Sequence, residues 1–269
     1  MSGSATDGAV VEVVRHRVLP RGWNFAVIVM AIAAVALSIY QIFNLGAYVG
    51  FVILDLAYLD LLLALLLPPI FLIFPMRKAD HGLASPPWYD VLLFAVSAAL
   101  GVYLAFMAVP AVEGGWEYLA PAHAQYASWL LWVLLIEAVR RAGGTALTVI
   151  VLVFSLYPTF ADSMPGPLQG AEQSFREIGQ YFAFSAEAAF GIPMRAFGKL
   201  VIGFVIFGVA LQHTGAGRFF IDFAFALLGH VRGGGAKVAI FSSGLLGSMS
   251  GSVITNVLTT GRLTIPAMR

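Results

Sequence analysis

The sequence predicts an all-α integral membrane protein with about six transmembrane helices, interfacial amphipathic helices and a C-terminal re-entrant hairpin. Three observations carry that prediction. Hydrophobic residues make up 60% of the 269-residue chain and charged residues only 11%, against roughly 25% charged in a soluble domain. The apolar residues fall in long runs separated by short segments whose charge alternates in sign. Near the end, "GSMSGSVITNVLTTG" (247–261) gathers seven hydroxyl or amide side chains in fifteen residues of a chain otherwise poor in polar groups.

The first run, 24–45, carries no charge, and about 20 apolar residues at 1.5 Å each cross the hydrocarbon. A cleaved signal peptide fits less well. Its apolar core would be only about 7–15 residues with a small-residue cleavage site, whereas Tyr40, Gln41 and Phe43 follow here. The second run, 51–76, contains Asp55, Asp60 and the pair Pro68 and Pro69, which predict a kink. Further runs are 91–112, 126–136, 146–161 and 200–211, and a last one begins at Val238.

Loop charges orient these runs. Arg15, Arg17 and Arg21 precede the first, Arg77 and Lys78 follow the second, Arg140 and Arg141 the fourth, Arg218 and Arg232 the sixth. By the positive-inside rule those sides, and the N-terminus, are cytoplasmic. The alternate loops carry Glu113, Glu117, Asp162, Glu172 and Glu177, with Arg176, Arg195 and Lys199 as exceptions. A net charge of +1 dispersed in such clusters gives no stripe for nucleic acid, and the absence of cysteine excludes a disulfide framework or thiolate metal site.

Two segments read as lying on the membrane. Over 172–190, Phe175, Ile178 and Phe182 recur at helical spacing while Gln173, Arg176, Glu177 and Gln180 take the other face, the pattern of an interfacial helix. "RFFIDFAFALLGHV" (218–231) is too short to span and ends in three glycines, so it reads as a second interfacial arm or as a buried core helix.

The hydroxyl-rich stretch is flanked by Arg232 and Lys237 on one side and Arg262 and Arg269 on the other. A helix that enters, breaks at Ser250-Gly251-Ser252 and returns keeps all four on the favoured side. Its first limb, 238–249, is about 12 residues, roughly 18 Å at helical rise and short of the far face. Such a break frees backbone groups at membrane depth, tolerable only inside protein or along a wet cavity. Ser252, Asn256 and Thr259 share one helical face, with Thr255 beside them. Oxygens of this kind suit a hard cation such as Na⁺. The alternative is packing: Gly244, Gly247 and Gly251 form a small-xxx-small series that brings helices together.

"SGSVITNVLTTGRLTIPAM" (250–268) resembles the first re-entrant hairpin of the large membrane subunit of tripartite ATP-independent periplasmic (TRAP) transporters, in the form where small and large subunits are fused. "LLIEAVRRAGGTALTVIVLVFSLYPTF" (134–160) is similar to the junction after the small-subunit region, and "FGIPMRAFGKLVIGFVIFGVALQHTGAGRFFIDFAFALLGHVRGGGAKVAI" (190–240) to the start of the large subunit. The resemblance implies a permease coupled to Na⁺ or H⁺, with no other cofactor. It would import an organic acid delivered by an extracytoplasmic solute-binding protein across the cell inner membrane, by an elevator motion. Ser250, Gly251, Ser252 and Asn256 would form the hairpin tip, with Thr259 and Thr260 near the ion or substrate. It also implies a cytoplasmic tail (1–22), a small-subunit-like four-helix region (23–142) and the start of a large-subunit-like transport region (143–269). The family's second, inverted hairpin has no counterpart in this sequence, so the expectation is an N-terminal fragment that needs the remainder of the permease. The alternative is a non-transporting membrane scaffold or partner protein.

Enzymatic activity is not expected. No phosphate loop follows a strand, no His and Glu stand at zinc spacing, and no serine has a nearby base. Asp55 and Asp60 are candidates because intramembrane carboxylates mark function by default, but a spacing of five keeps them off one helical face. Packing or contact with a partner helix is the preferred reading of both. Glu137 stands three and four residues before Arg140 and Arg141, the spacing of local ion pairs. His123 reads as a loop residue and His213 as the end of a span.

Overall fold

The computed structural model describes residues 17–77 and 85–250, and the chain divides into two compact units, Met1–Arg195 and Ala196–Arg269. Every regular element among the described residues is helical.

The first unit contains α1 (Arg21–Ile42), α2 (Leu45–Val49), α3 (Asp55–Ile73), α4 (Trp88–Glu113), α5 (Ala122–Gly143), α6 (Thr145–Leu156) and α7 (Phe175–Phe184). Its centre is α3, which packs on α4 most extensively and also on α1 and α5. Tyr58, Leu59, Leu62, Phe71 and Leu72 are almost wholly buried there. The α3–α4 crossing is close because Gly101 faces Ala64, where an added Cβ would stand 2.7 Å from the Ala64 Cα. Lipid-embedded helices associate by such close packing of small residues. The opposite faces stay apolar, with Phe25, Ile28 and Ile32 of α1 and Phe106 and Val109 of α4 exposed, as lipid contact requires.

Pro68 and Pro69 lie inside α3 and are buried, and the helix continues through them to Ile73. They do not end it because only one further turn follows, and that turn is held by packing. Asn44 (φ 49°) and Gly50 (φ 82°) turn the chain on either side of α2, and the Tyr40 hydroxyl donates to the Phe51 carbonyl at 2.5 Å. This closes the short α1–α3 connection.

The span count is lower than the six expected. Among the described residues, four helices are long and apolar enough to cross a membrane: Arg21–Ile42, Asp55–Ile73, Trp88–Glu113 and Ile192–Ala210. The predicted fourth run lies in α5, which has 22 residues but ends in Glu137, Arg140 and Arg141. The predicted fifth is only the 12 residues of α6 before the chain passes into short 3-10 turns. His123 belongs to the first turn of α5 rather than to a loop, with its ring edge-on to Trp116 at 5.6 Å.

The interfacial reading of 172–190 needs revision in one respect. α7 starts at a capping box in which Ser174 accepts from the Glu177 N–H and Glu177 accepts from the Ser174 N–H. It packs on α5. Gln180, assigned to the solvated face, is buried. Its Oε1 accepts from the Ala120 N–H at 3.2 Å and its Nε2 donates to the Tyr118 carbonyl at 2.5 Å. An amide that satisfies two backbone groups is retained inside, whatever the helical pattern assigns it.

The second unit takes in the end of α8 (Ile192–Ala196), a π turn (Phe197–Val201), α9 (Ile202–His213), α10 (Ala216–Leu228) and α11 (Gly234–Ser250). α10 packs on α11, and both touch α9. Gly215 (φ 86°) and Gly233 (φ 71°) turn the corners around α10. Ile221 and Ala224 of α10 are buried while Phe219, Phe223 and Leu227 remain exposed. One face of the segment is therefore packed and the other is open and apolar.

Candidate transport site

The hydroxyl-rich stretch is reached along α11. This helix begins at Gly234, four residues before the expected start, and has 17 residues, roughly 25 Å at helical rise. The glycines read as terminators instead open the helix, directly after the left-handed turn at Gly233. The expected limb of about 12 residues is therefore corrected, and shortness no longer argues for re-entry. The flanking positive charges still do.

Along α11, Val238, Ser242 and Leu246 are buried at a spacing of four, one stripe on one face. The Ser242 hydroxyl turns back to the Ala239 carbonyl at 3.3 Å. A Cβ at Gly244 would meet nothing within 4 Å. Ser250 is the last described residue of α11, and its side chain lies outside the description. Gly251, Ser252, Asn256, Thr259 and Thr260, with the hairpin corner, lie outside the described residues.

A second polar assembly was not anticipated. Asp90, in the first turn of α4, accepts from Arg17 Nη2 at 3.0 Å and from Arg141 Nη1 at 2.7 Å, and all three side chains are fully buried. Arg141 Nε also reaches Glu137 at 2.7 Å, and Glu137 pairs with Arg140 at 2.7 Å. The guanidinium groups also cap the carbonyl end of α3. Arg17 donates to Leu72, and Arg141 donates to Phe71 and Phe74 while lying 5.2 Å from the Phe71 ring. Cations at a helix C-terminus and an anion in a helix first turn both interact favourably with the local dipole. The Glu137 ion pairs follow the predicted spacing. Asp90 as a hub was missed, although an acid three residues after the pair Pro86-Pro87, on the side where Arg and Lys cluster, was a readable signal.

The two aspartates of α3 differ in surroundings, as their spacing requires. Asp55 accepts from Gln41 Nε2 at 3.2 Å near the start of the helix. Asp60 is 2% exposed, and its Oδ1 has no hydrogen-bond partner. No group of three or more His, Cys, Asp or Glu side chains able to hold a metal occurs among the described residues.

The opposite end of the bundle is acidic. Hydrogen bonds from the Ser174 hydroxyl and backbone N–H hold the Glu177 carboxyl below its ordinary range. Burial and a 2.9 Å hydrogen bond to Glu187 push the Tyr181 phenol up. Two cavities open here and share Glu117 and Tyr118. One, of about 190 Å³, is lined by polar groups that include Gln173, Glu177 and Gln180. The other, of about 370 Å³, is walled mainly by apolar side chains.

Residues 130–269 match the family model described as "Tripartite ATP-independent periplasmic transporter, DctM component". A protein of Haemophilus influenzae named as a TRAP transporter large permease is 34% identical over 65 residues, covering 24% of this chain and 16% of that protein's length. No solved structure gives a match. With more than half of its length on the family model, the chain belongs to the DctM family of tripartite ATP-independent periplasmic transporters.

Proposed function

We propose that this chain is the membrane permease component of a TRAP-type secondary transporter that imports an organic acid, handed over by an extracytoplasmic solute-binding protein and driven by Na⁺ or H⁺. The observation that carries the reading is the family match over 130–269, which takes in the whole hydroxyl-rich stretch. Discontinuous helices in secondary transporters use freed backbone groups and nearby hydroxyls to hold ions and substrate. Ser250, Gly251, Ser252 and Asn256 would form that tip, with Thr259 and Thr260 close by and Na⁺ at Ser250, Ser252 and Asn256. On this reading residues 23–142 are a small-subunit-like region and 143–269 the start of the transport region, joined in the membrane by the remainder of the permease.

The collection of Arg17, Arg140 and Arg141 at one end of the helices and of Glu113, Glu117 and Glu177 toward the other supports an inner-membrane orientation with a cytoplasmic N-terminus. The test is uptake into vesicles that hold the chain with the remaining permease and its binding protein. Labelled organic acid accumulates only with binding protein outside and an imposed gradient; Na⁺ or pH gradients applied separately identify the driving ion. Asn256→Leu abolishes accumulation while leaving the amount of protein in the membrane unchanged. Unchanged uptake in that variant rejects the ion site. Accumulation without any gradient rejects the symport reading.

A further inference from the structure

The larger cavity at the acidic end of the first unit combines apolar walls with two charged side chains. Leu56 and Leu59 of the first turns of α3, Val112 of the last turn of α4, and Phe184 and Phe190 wall it. Asp55 and Glu113 bound those two helices, so the apolar walls lie just inside the hydrocarbon edge. Two side chains of opposite charge, Glu117 and Arg195, line the same cavity. Glu117 stands four residues beyond Glu113, and Arg195 lies in α8 at the start of a span. Both are therefore at the level of lipid headgroups. Among the described residues neither makes an ion pair with the other or with any third group.

A carboxylate and a guanidinium that share one cavity without pairing call for a ligand that brings both complementary charges. The apolar walls beneath them call for a hydrocarbon tail. We propose that this cavity binds one zwitterionic phospholipid with a primary-amine headgroup, a phosphatidylethanolamine, its phosphate on Arg195, its ammonium on Glu117 and an acyl chain along Leu56, Leu59 and Val112. Arg suits a phosphate through its planar fork of donors, and the carboxylate accepts charge-assisted hydrogen bonds from the ammonium. A choline headgroup has no N–H to give Glu117. A glycerol headgroup has no cation, and leaves the carboxylate facing a net negative lipid. A free apolar amino acid carries the same pair of charges but is too small to fill a cavity of about 370 Å³.

The chain purified in mild detergent and equilibrated with equal amounts of phosphatidylethanolamine, phosphatidylglycerol and phosphatidylcholine of identical acyl chains gives the test by native mass spectrometry. The wild-type protein retains phosphatidylethanolamine about tenfold over the other two, the scale of one charge-assisted contact. Glu117→Gln removes the preference while phospholipid is still retained. Arg195→Gln removes retention of all three. Glu113→Gln, an exposed acid that does not line the cavity, behaves as wild type. A phosphatidylethanolamine with a photoreactive headgroup labels residues around Gly115 and Tyr118 in the unaltered chain, which keeps the test independent of how the variants fold. Equal retention of the three lipids, labelling elsewhere, or retention of free leucine without phospholipid overturns the proposal.

Discussion

Replacement of Asp90 by asparagine tests the buried clasp most directly. The four buried or half-buried partners Arg17, Asp90, Arg141 and Glu137 sum to zero charge, and Arg140 lies partly in solvent with 37% of its side chain exposed. Asp90→Asn keeps the shape and one acceptor oxygen but leaves a net positive charge among fully buried groups. Breaking a buried pair on one side costs about 3–5 kcal/mol, because the surviving charge is desolvated without compensation. Arg17→Met leaves the opposite imbalance and loses a comparable amount. The double variant Arg17→Met/Asp90→Asn restores neutrality, with Arg141 still on Glu137, and therefore loses at least about 2 kcal/mol less than the sum of the singles. The assay is reversible unfolding in mixed micelles of rising sodium dodecyl sulfate fraction, followed by the fluorescence of the five tryptophans. Because the groups are dry, moving from low to high salt leaves the differences intact. A single-variant loss under about 1 kcal/mol, or losses that add to within about 0.5 kcal/mol, refutes the reasoning.

Gly101→Val drives a side chain into the Ala64 backbone at 2.7 Å and costs about 1–3 kcal/mol of overpacking in the same unfolding assay. Ser174→Ala removes the cap of α7 and costs about 1 kcal/mol of local stability, seen as faster amide exchange at Glu177 and Ile178. The same cap is pH-dependent. Because the folded Glu177 carboxyl sits below its ordinary value, its contribution is complete above the ordinary glutamate range and is lost as pH falls through the lowered folded value. Exchange at those amides therefore accelerates only in the acid range, and Ser174→Ala flattens that dependence. Asp60→Leu exchanges a buried carboxyl with an unsatisfied oxygen for hydrocarbon and raises stability by about 1–3 kcal/mol in the unfolding assay.

Much of the first unit was legible because lipid leaves few alternatives. An apolar run of spanning length without charge becomes a helix, and runs 24–45 and 91–112 differ from α1 and α4 only at their ends. α5 and α6 were harder, because α5 gives its last turns to Glu137, Arg140 and Arg141 and α6 ends after 12 residues, so neither forms an uninterrupted apolar helix of spanning length. The start of α11 was misread for a local reason. Three successive glycines read as a stop, while the structure uses only Gly233 as the left-handed turn and the next two as helix. Burial of Gln180 depends on two backbone groups at 118 and 120, some 60 residues away, and no periodicity within α7 reports on them. The Asp60 environment was half visible. Its depth in an apolar run was plain, but whether an oxygen finds a donor is decided by neighbouring helices.

The buried arginines bear on how the topology is held. The positive-inside rule treats Arg17 and Arg141 as residues kept in water by their hydration, yet the folded unit encloses both side chains completely. The two facts are compatible if orientation is set while helices insert singly and packing follows, the order expected when lateral association comes second. The same charges then do two things in sequence. Hydrated, they hold the N-terminal flank and the α5 end on one side. Once Asp90 of α4 arrives between them, they exchange water for a carboxylate and for the open carbonyls of α3. Reversal of any one helix would leave the cluster with an unpaired charge, at the several kcal/mol estimated for Asp90→Asn. The clasp thus makes the inserted orientation self-consistent across α3, α4 and α5, since each of these helices contributes a group that the others need.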